Sequence, residues 1–515
     1  MFKGPNLQQD LLSLILRWRQ YQVAFTADIE KMFRQIWVHP DDQGLQKIIW
    51  RDAQSESLRE YQLTTVTYGT KAAPFLAMMC LRQLAHDNQN TYPEASQVVQ
   101  KSFYMDDLIH GSHHQQSALN LQHDLINLLK IGGFNLRKWT SNYKVMLEEK
   151  ETFKNQDNYT FNHAMSTKTL GIQWIPEQDV FIFQSKISSE TSGHESSPPT
   201  KRKLLSDISK LFDPLGWLTP ISTQLKLLFQ KAWKTNTQWD DKIPEIINQE
   251  WSKIKQDLSK VDQVKVPRWF GTYEKATIEL HGFCDASQKA YACVIYCKVM
   301  NQALQNVTLV AAKSKLAPCN KEITLPKLEL SGSYLLSKLM FKVKESLSEY
   351  ELEVFGWTDS TAVLGWLQGK PDRWQTFVSN RVRQITEVIP PKNWQYVKSA
   401  ENPADCASRG LSATQLNQHQ MWWQGPTWLT NYNQDTQEII KYENNQEILQ
   451  VYTTTENQNN ESVIKDLLYK YSSWRKVVNV LAWARRFMQK KKERNQECYL
   501  TITEINQAKT MIRHI

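Results

Sequence analysis

The residues of this chain best suited to chemistry are two adjacent acids set between apolar runs, in Phe103-Tyr104-Met105-Asp106-Asp107-Leu108-Ile109. The flanks read as two short strands, which puts the acids at or beside a hairpin tip. Two carboxylates held side by side resist joint ionisation unless divalent cations neutralise them. Oxygen ligands suit Mg²⁺, with Mn²⁺ as a substitute, and a pair of such ions suits in-line phosphoryl transfer. Four residues are a weak signal alone, so the reading depends on partners elsewhere.

Such partners exist upstream. Val23-Ala24-Phe25-Thr26-Ala27-Asp28 reads as a strand with an acid at its end, and Ile29-Glu30-Lys31-Met32-Phe33 then turns away. A strand-end carboxylate facing an Asp-Asp hairpin is a layout for two Mg²⁺ ions. Phe33, five residues after Asp28, would exclude a 2′-hydroxyl if it lay beneath a sugar; it reads equally well as a core aromatic. Singly, Asp28 also reads as a helix N-cap and Asp106-Asp107 as an exposed turn. Neither alternative explains the set.

A second set of acids follows. Asp285 ends the strand Leu280-His281-Gly282-Phe283-Cys284, Glu329 lies early in a helix, Asp359 ends the strand Val354-Phe355-Gly356-Trp357-Thr358, and Asp405 lies in Asn402-Pro403-Ala404-Asp405. Four acids from separate elements meeting at one sheet edge would again hold two Mg²⁺, and hydrolysis of a phosphodiester by an activated water is the natural chemistry. The bland reading is four unrelated surface acids or caps.

The elements that must position these residues read as α/β throughout. The chain has 515 residues, too many for one core. Residues 1–192 alternate short strands and helices; Ser192 to Pro199 reads as a linker; residues 193–267 are helical, broken at Asp213-Pro214-Leu215-Gly216. Residues 268–416 run as three strands, helix, strand, helices, strand. A Gln/Asn/Thr-rich linker at 417–460 leads to a helical region at 461–515 with a basic run at Lys490-Lys491-Lys492, read as a solvated face or a nucleic-acid contact. No apolar run reaches membrane-spanning length, and the start has no signal-peptide pattern. The seven cysteines lack a Cys-x-x-Cys pair, and Cys293 and Cys297 read as buried thiols, as in a reduced intracellular protein. A net charge of +9 permits a polyanionic partner without requiring one.

Taken in order, Phe25 to Asp28 with Phe33, Tyr68-Gly69-Thr70-Lys71-Ala72-Ala73-Pro74-Phe75, Tyr104-Met105-Asp106-Asp107, Gly132-Gly133-Phe134-Asn135-Leu136-Arg137-Lys138-Trp139 and Leu170-Gly171-Ile172 resemble the successive palm motifs of a reverse transcriptase. The second set of acids resembles a ribonuclease H domain. The resemblance is closest to long-terminal-repeat retrotransposons of the BEL/Pao group, through Leu211-Phe212-Asp213-Pro214-Leu215-Gly216-Trp217-Leu218 and Trp422-Trp423-Gln424-Gly425-Pro426. It implies a right-hand polymerase palm with truncated fingers (1–192), a helical thumb or connection (193–267) and a ribonuclease H-like domain (268–416). Asp28, Asp106 and Asp107 would be metal ligands of the first centre, and Asp285, Glu329, Asp359 and Asp405 of the second. Phe33, Tyr68, Gly69 and Lys138 would meet substrate. The implied partners are an RNA template, a DNA primer, dNTPs, an RNA–DNA hybrid and the rest of a Gag-Pol polyprotein. The implied setting is a cytoplasmic particle or a nuclear stage.

Departures from the family pattern define the competing readings. Tyr68 stands where many retroviral enzymes carry Gln, and residues 385–404 lack the loop His of many ribonucleases H. Only 27 residues precede Asp28, with Lys3, Arg17 and Arg19 as poor substitutes for the basic residues of a fingers region. Residues 461–515 lead toward an integrase zinc-binding module that is missing, as in an internal piece of a polyprotein or a truncated gene. A polymerase-inactive, nucleic-acid-binding remnant is therefore the second reading. The third is an aspartic peptidase, since this stretch is often catalogued as a Pao-type peptidase. Asp359-Ser360-Thr361 lacks the Gly such a loop wants.

Overall fold

Alternation along Val23–Ile29 decides the first sheet. Val23, Phe25, Ala27 and Ile29 enter one apolar core, so a period of two sends Thr26 and Asp28 to the other face. This strand is β1. An exposed hairpin of β2 (Lys47–Trp50) and β3 (Arg59–Gln62) follows, and then β4 (Phe103–Tyr104), β5 (Asp107–Ser112) and β6 (Leu136–Ser141) join β1 in an antiparallel sheet ordered β4-β5-β1-β6. The helices Ala73–Asp87, Pro93–Lys101 and Gln115–Ile131 cover its apolar side through Leu81, Val98, Leu125 and Leu128. Each such side chain stabilises by about 2 kcal/mol relative to exposure.

The computed structural model describes residues 2–54, 56–148, 167–169, 171–185, 198–300, 306–320, 322–432, 474–488 and 500–513. Most of the expected linkers at 192–199 and 417–460, together with Leu170, Cys498 and Lys490 to Lys492, lie outside the described residues. The chain divides into two compact units, Met1–Lys441 and Tyr442–Ile515.

A second sheet in the larger unit is ordered β10-β9-β8-β7, from β7 (Thr167–Thr169), β8 (Ile172–Ile175), β9 (Val180–Ile182) and β10 (Lys265–Pro267). Between β9 and β10 run the helices Lys201–Ile208, Thr219–Trp233 and Glu245–Asp257. The break between the first two is fixed by Gly216, at φ +77°, where a Cβ would fall 1.8 Å from the Ala312 carbonyl oxygen. Only glycine tolerates both the angle and the approach.

The third sheet is mixed, in the order β13-β12-β11-β14-β15. Here β11 (Thr277–Ala286), β12 (Ala290–Val299) and β13 (Asn306–Leu316) are antiparallel, while β14 (Glu351–Thr358) and β15 (Trp394–Tyr396) run parallel to β11. The helix Leu325–Ser346 covers β11, and Gly282 leaves room for Leu336, whose Cδ1 would lie 2.5 Å from a Cβ there. β12 is buried over almost its full length, which explains its unbroken apolar run. Cys293 and Cys297 sit in it as buried thiols, both pushed up to about 12 by burial.

Arg17 and Arg19 are both engaged by backbone carbonyls, Arg17 half-buried and Arg19 in the interior. Arg17 Nη2 donates to the Lys101 carbonyl at 2.6 Å, and Arg19 is fully buried among backbone carbonyls. In the smaller unit, Trp474–Met488 and Ile502–Arg513 pack through Val477, Val478, Leu481, Ala482 and Ala508, with an Arg486–Glu504 ion pair. No helix among the described residues is long and apolar enough to cross a membrane.

Candidate active sites

The first candidate site is built by register. In the β1–β5 ladder Asp28 lies opposite Asp107, and the β4–β5 hairpin pairs Tyr104 with Asp107, leaving Met105 and Asp106 as its two-residue tip. Met105 adopts φ +59°, the left-handed conformation that a tight hairpin of this length demands. The Ile29 amide donates to the Asp106 carbonyl at 2.9 Å, tying the tip back to β1. Burial, with the charges of Asp106 and Asp28, pushes the Asp107 carboxyl up to about 6. Asp106 is raised by partial desolvation and by Asp28.

Lys138 projects from β6 and its Nζ donates to Asp28 Oδ2. The pair raises the Lys138 ammonium above its ordinary range. Phe33 is half-buried and packs on the core beneath the sheet. Tyr68, 65% exposed, and Gly69, at φ +85°, occupy a surface turn ahead of the helix Ala73–Asp87.

The second candidate site is more tightly gathered. Asp285 lies near the end of β11, Asp359 just past the parallel neighbour β14, and Glu329 in the second turn of the helix Leu325–Ser346. Each brings a ligand oxygen within 4.8 Å of the other two. Among the described residues no other set of three or more His, Cys, Asp or Glu side chains is gathered this closely, the three palm acids included. Asp285 and Glu329 are buried, and Glu329 Oε2 has no hydrogen-bond partner. An orphaned, buried carboxylate oxygen beside two further acids is costly without a cation, and an all-oxygen donor set fits Mg²⁺ or Mn²⁺. Burial, then the charges of Asp285 and Asp359, pushes Glu329 up to about 9. Burial raises Asp285 to about 6, against the opposing pull of the Ser408 hydroxyl.

Asp405 is not among the gathered three. It opens the helix Ala404–Arg409, and its Oδ1 accepts from Arg409 Nε at 2.5 Å. The residues around it hold the others: Ser408 Oγ donates to Asp285 Oδ2, and Ser399 Oγ donates to Asp359 Oδ2 at 2.5 Å. Asn402 is fully buried; its Nδ2 donates to the Cys284 carbonyl at 3.0 Å and its Oδ1 accepts from the Ala404 amide at 3.1 Å. The sequence reading gave none of Ser399, Asn402, Ser408 and Arg409 a role. Asn402, Ser408 and Arg409 carry a sequence signal only as parts of the Asn-Pro-Ala-Asp…Ser-Arg ending that resembles retroelement ribonucleases H, and Ser399 carries none.

An antiparallel palm sheet with an acidic hairpin, joined to a mixed five-stranded sheet with a three-acid cluster, defines a reverse transcriptase fold followed by a ribonuclease H-like fold. Residues 4–161 match the family described as reverse transcriptase (RNA-dependent DNA polymerase), and residues 200–360 match the Pao retrotransposon-like RNaseH-like domain. The chain thus carries a reverse transcriptase domain followed by a Pao retrotransposon-like RNaseH-like domain. Among solved structures it is similar to a foamy viral protease-reverse transcriptase in complex with double-stranded DNA (13% identity, TM-score 0.49, covering 78% of this chain and 60% of that one). It is also similar to a foamy viral protease-reverse transcriptase in complex with an RNA/DNA hybrid (15% identity, TM-score 0.45, covering 76% and 46%). The chain thus spans 60% or less of the length of these two structures. No curated protein matches it.

Proposed function

We propose that the chain copies RNA and DNA templates into DNA at the palm and cleaves the RNA of RNA–DNA hybrids at the second site. What carries the reading is the presence of two separate carboxylate sets on two sheets, one within the stretch matched by the reverse transcriptase family and one within the RNaseH-like match. Asp28, Asp106 and Asp107 would hold divalent ions, Mg²⁺ or Mn²⁺, at the palm. Asp285, Glu329 and Asp359 would hold them at the nuclease centre, with Asp405 at its rim. When bound, such ions lower the pKa of an attacking hydroxyl or water and neutralise charge on the leaving oxygen.

The protein's own part is positioning. The β1–β5 register fixes Asp28 against Asp107, and Phe33, packed on the palm core, would act as the gate against a 2′-hydroxyl. Tyr68 and Gly69 would border the incoming nucleotide, and Lys138 would meet its phosphates. At the nuclease centre Ser399 and Ser408 orient two carboxylates and Asn402 anchors their segment. The substrates would be an RNA template, a DNA primer, dNTPs and the resulting hybrid, within a Gag-Pol polyprotein and its cytoplasmic particle or nuclear stage. The division into palm (1–192), connection (193–267), nuclease (268–416), linker (417–460) and helical tail (461–515) belongs to the same proposal. The geometry at Asp359 does not favour a peptidase, because Ser360 Oγ accepts from the Val363 amide at 3.4 Å and caps a helix there instead of shaping a dyad loop.

Primer extension on an RNA template with Mg²⁺ tests the first activity. Asp107→Asn should abolish extension and leave hybrid cleavage intact, while Asp359→Asn should do the reverse. Extension that survives Asp107→Asn, or hybrid cleavage that survives Asp359→Asn, overturns the assignment of that centre.

A further inference from the structure

The two candidate centres differ in one respect. The nuclease acids stand together with an oxygen unpartnered, whereas at the palm Asp28 Oδ2 is already engaged by the Lys138 ammonium. That contact is built into the strand. In the β1–β6 ladder Thr26 pairs with Thr140 and Asp28 with Arg137, so Lys138 and Trp139 together face the single residue Ala27. This is a β-bulge, which re-aims a side chain without breaking the sheet.

Lys138 takes the left-handed conformation, φ +52°, one that side chains other than Gly, Asn and Asp seldom adopt. The bulge lets Trp139 stay in the core, 1% exposed, while Lys138 turns to Asp28. Asp106 and Asp107 also act on the Lys138 ammonium. A cation is therefore supplied by the chain itself at the carboxylate that a divalent ion would need.

We propose that Lys138 is a tethered counter-ion of the palm, holding Asp28 in the ion-free state and exchanging with a divalent ion for the same carboxylate oxygen. This rests on the reading of Asp28, Asp106 and Asp107 as metal ligands. An ion entering the palm must displace the ammonium, which leaves Lys138 unpaired beside the newly bound charge. Ion binding at the palm then carries a cost that Asp285, Glu329 and Asp359 escape: among the described residues no lysine or arginine is paired with these three, and Arg409 pairs with Asp405 at the rim.

The test is direct Mn²⁺ binding to the full chain without nucleic acid, read from the electron paramagnetic resonance signal of free Mn²⁺. The background carries Asp285→Asn and Asp359→Asn to silence the nuclease centre. Lys138→Met and Lys138→Gln should each tighten Mn²⁺ binding about fivefold, the scale of one partly exposed ion pair. Lys138→Arg should leave it unchanged, and Asp28→Asn should abolish the palm-site binding. Thermal midpoints of the Met, Gln and Arg variants would be compared, since all three place a long side chain at the same backbone angle. Equal or weaker Mn²⁺ binding by folded Lys138→Met and Lys138→Gln overturns the inference and leaves the palm assignment standing. Mn²⁺ binding that is absent from the parent, or indifferent to Asp28→Asn, overturns the palm assignment and the inference with it.

Discussion

Asn402 touches no substrate in the proposed mechanism, yet three proposed ligands depend on where it sits. It is buried, and its amide satisfies the Cys284 carbonyl on the strand that carries Asp285 while accepting from Ala404, next to Asp405. From that anchor Ser399 and Ser408 reach Asp359 and Asp285. Replacing Asn402 with Ala would leave a buried carbonyl and a buried amide without partners, at about 2–4 kcal/mol together. We expect Asn402→Ala to cut hybrid cleavage more than about tenfold, one power of ten being 1.4 kcal/mol of lost positioning, while primer extension holds. Assaying both activities on one preparation, with denaturant unfolding alongside, checks this; equal losses in both would mean general destabilisation. The difference in legibility has a physical cause. Asp28, Asp285 and Asp359 could be placed at strand ends because alternating or continuous apolar runs precede them in the sequence. A serine hydroxyl carries no such mark: the acceptor of Ser399 lies 40 residues away and that of Ser408 lies 123 away.

At the scale of elements, the turn Asp213-Pro214-Leu215-Gly216 shows the same division. The sequence announced a helix break, because Pro and Gly punctuate an otherwise periodic stretch. It could not announce the docking of that break on β13, where the Ala312 amide donates to the Leu215 carbonyl at 2.8 Å. The Asp213 carboxylate accepts from the amides of Trp217 at 3.0 Å and Leu218 at 2.7 Å, and burial outweighs these bonds, pushing it up to about 6. An unfolded aspartate titrates near 3.9. The folded protein therefore binds the proton more tightly than the unfolded chain does, and the stability due to Asp213 is highest below about pH 4 and declines as pH rises through 6. Asn does not titrate. The stability advantage of the parent over Asp213→Asn should therefore shrink by on the order of 2–3 kcal/mol between pH 4 and pH 7. Denaturant unfolding of both proteins across that range measures it, and a constant gap would refute the buried, proton-binding state of Asp213.

At the scale of the larger unit, two buried arginines join the three sheets. Arg19, at the end of the helix Leu11–Trp18, donates to the carbonyls of Arg268 (2.9 Å), Pro267 (3.0 Å), Leu309 (3.0 Å) and Val310 (3.2 Å), with its guanidinium 4.2 Å from the Phe270 ring centre. Arg268 answers in the opposite direction, donating to the carbonyls of Trp18 (2.9 Å), Tyr21 (2.8 Å) and Gln22 (3.1 Å) and gripping Asp179 at 2.6 and 2.7 Å. Asp179 lies in the β8–β9 turn, so the pair ties the approach to β1, the second sheet and β13 into one body. The sequence named Arg19 only as a poor substitute for a fingers base, because nothing local distinguishes an arginine aimed at carbonyls some 250 to 290 residues away from one aimed at solvent. A buried ion pair need not stabilise a fold relative to an apolar replacement, but removing one partner leaves the other groups unmatched. Arg268→Met removes a donor from three carbonyls and from Asp179, which keeps Trp174 Nε1 at 3.0 Å and Asn142 Nδ2 at 3.3 Å, and should destabilise by on the order of 3 kcal/mol. Asp179→Asn should cost about 1–2 kcal/mol, the net worth of a charge-assisted bond, because the guanidinium keeps its three carbonyls and the Asp179 side chain is 25% exposed to water. Unfolding of the parent, followed by tryptophan fluorescence and by loss of hybrid cleavage, should give coincident transitions that separate in Arg268→Met and stay together in Asp179→Asn. If Arg268→Met unfolds as a single unit with a loss below about 1 kcal/mol, within the range of an ordinary surface change, the arginines do not couple the palm to the nuclease.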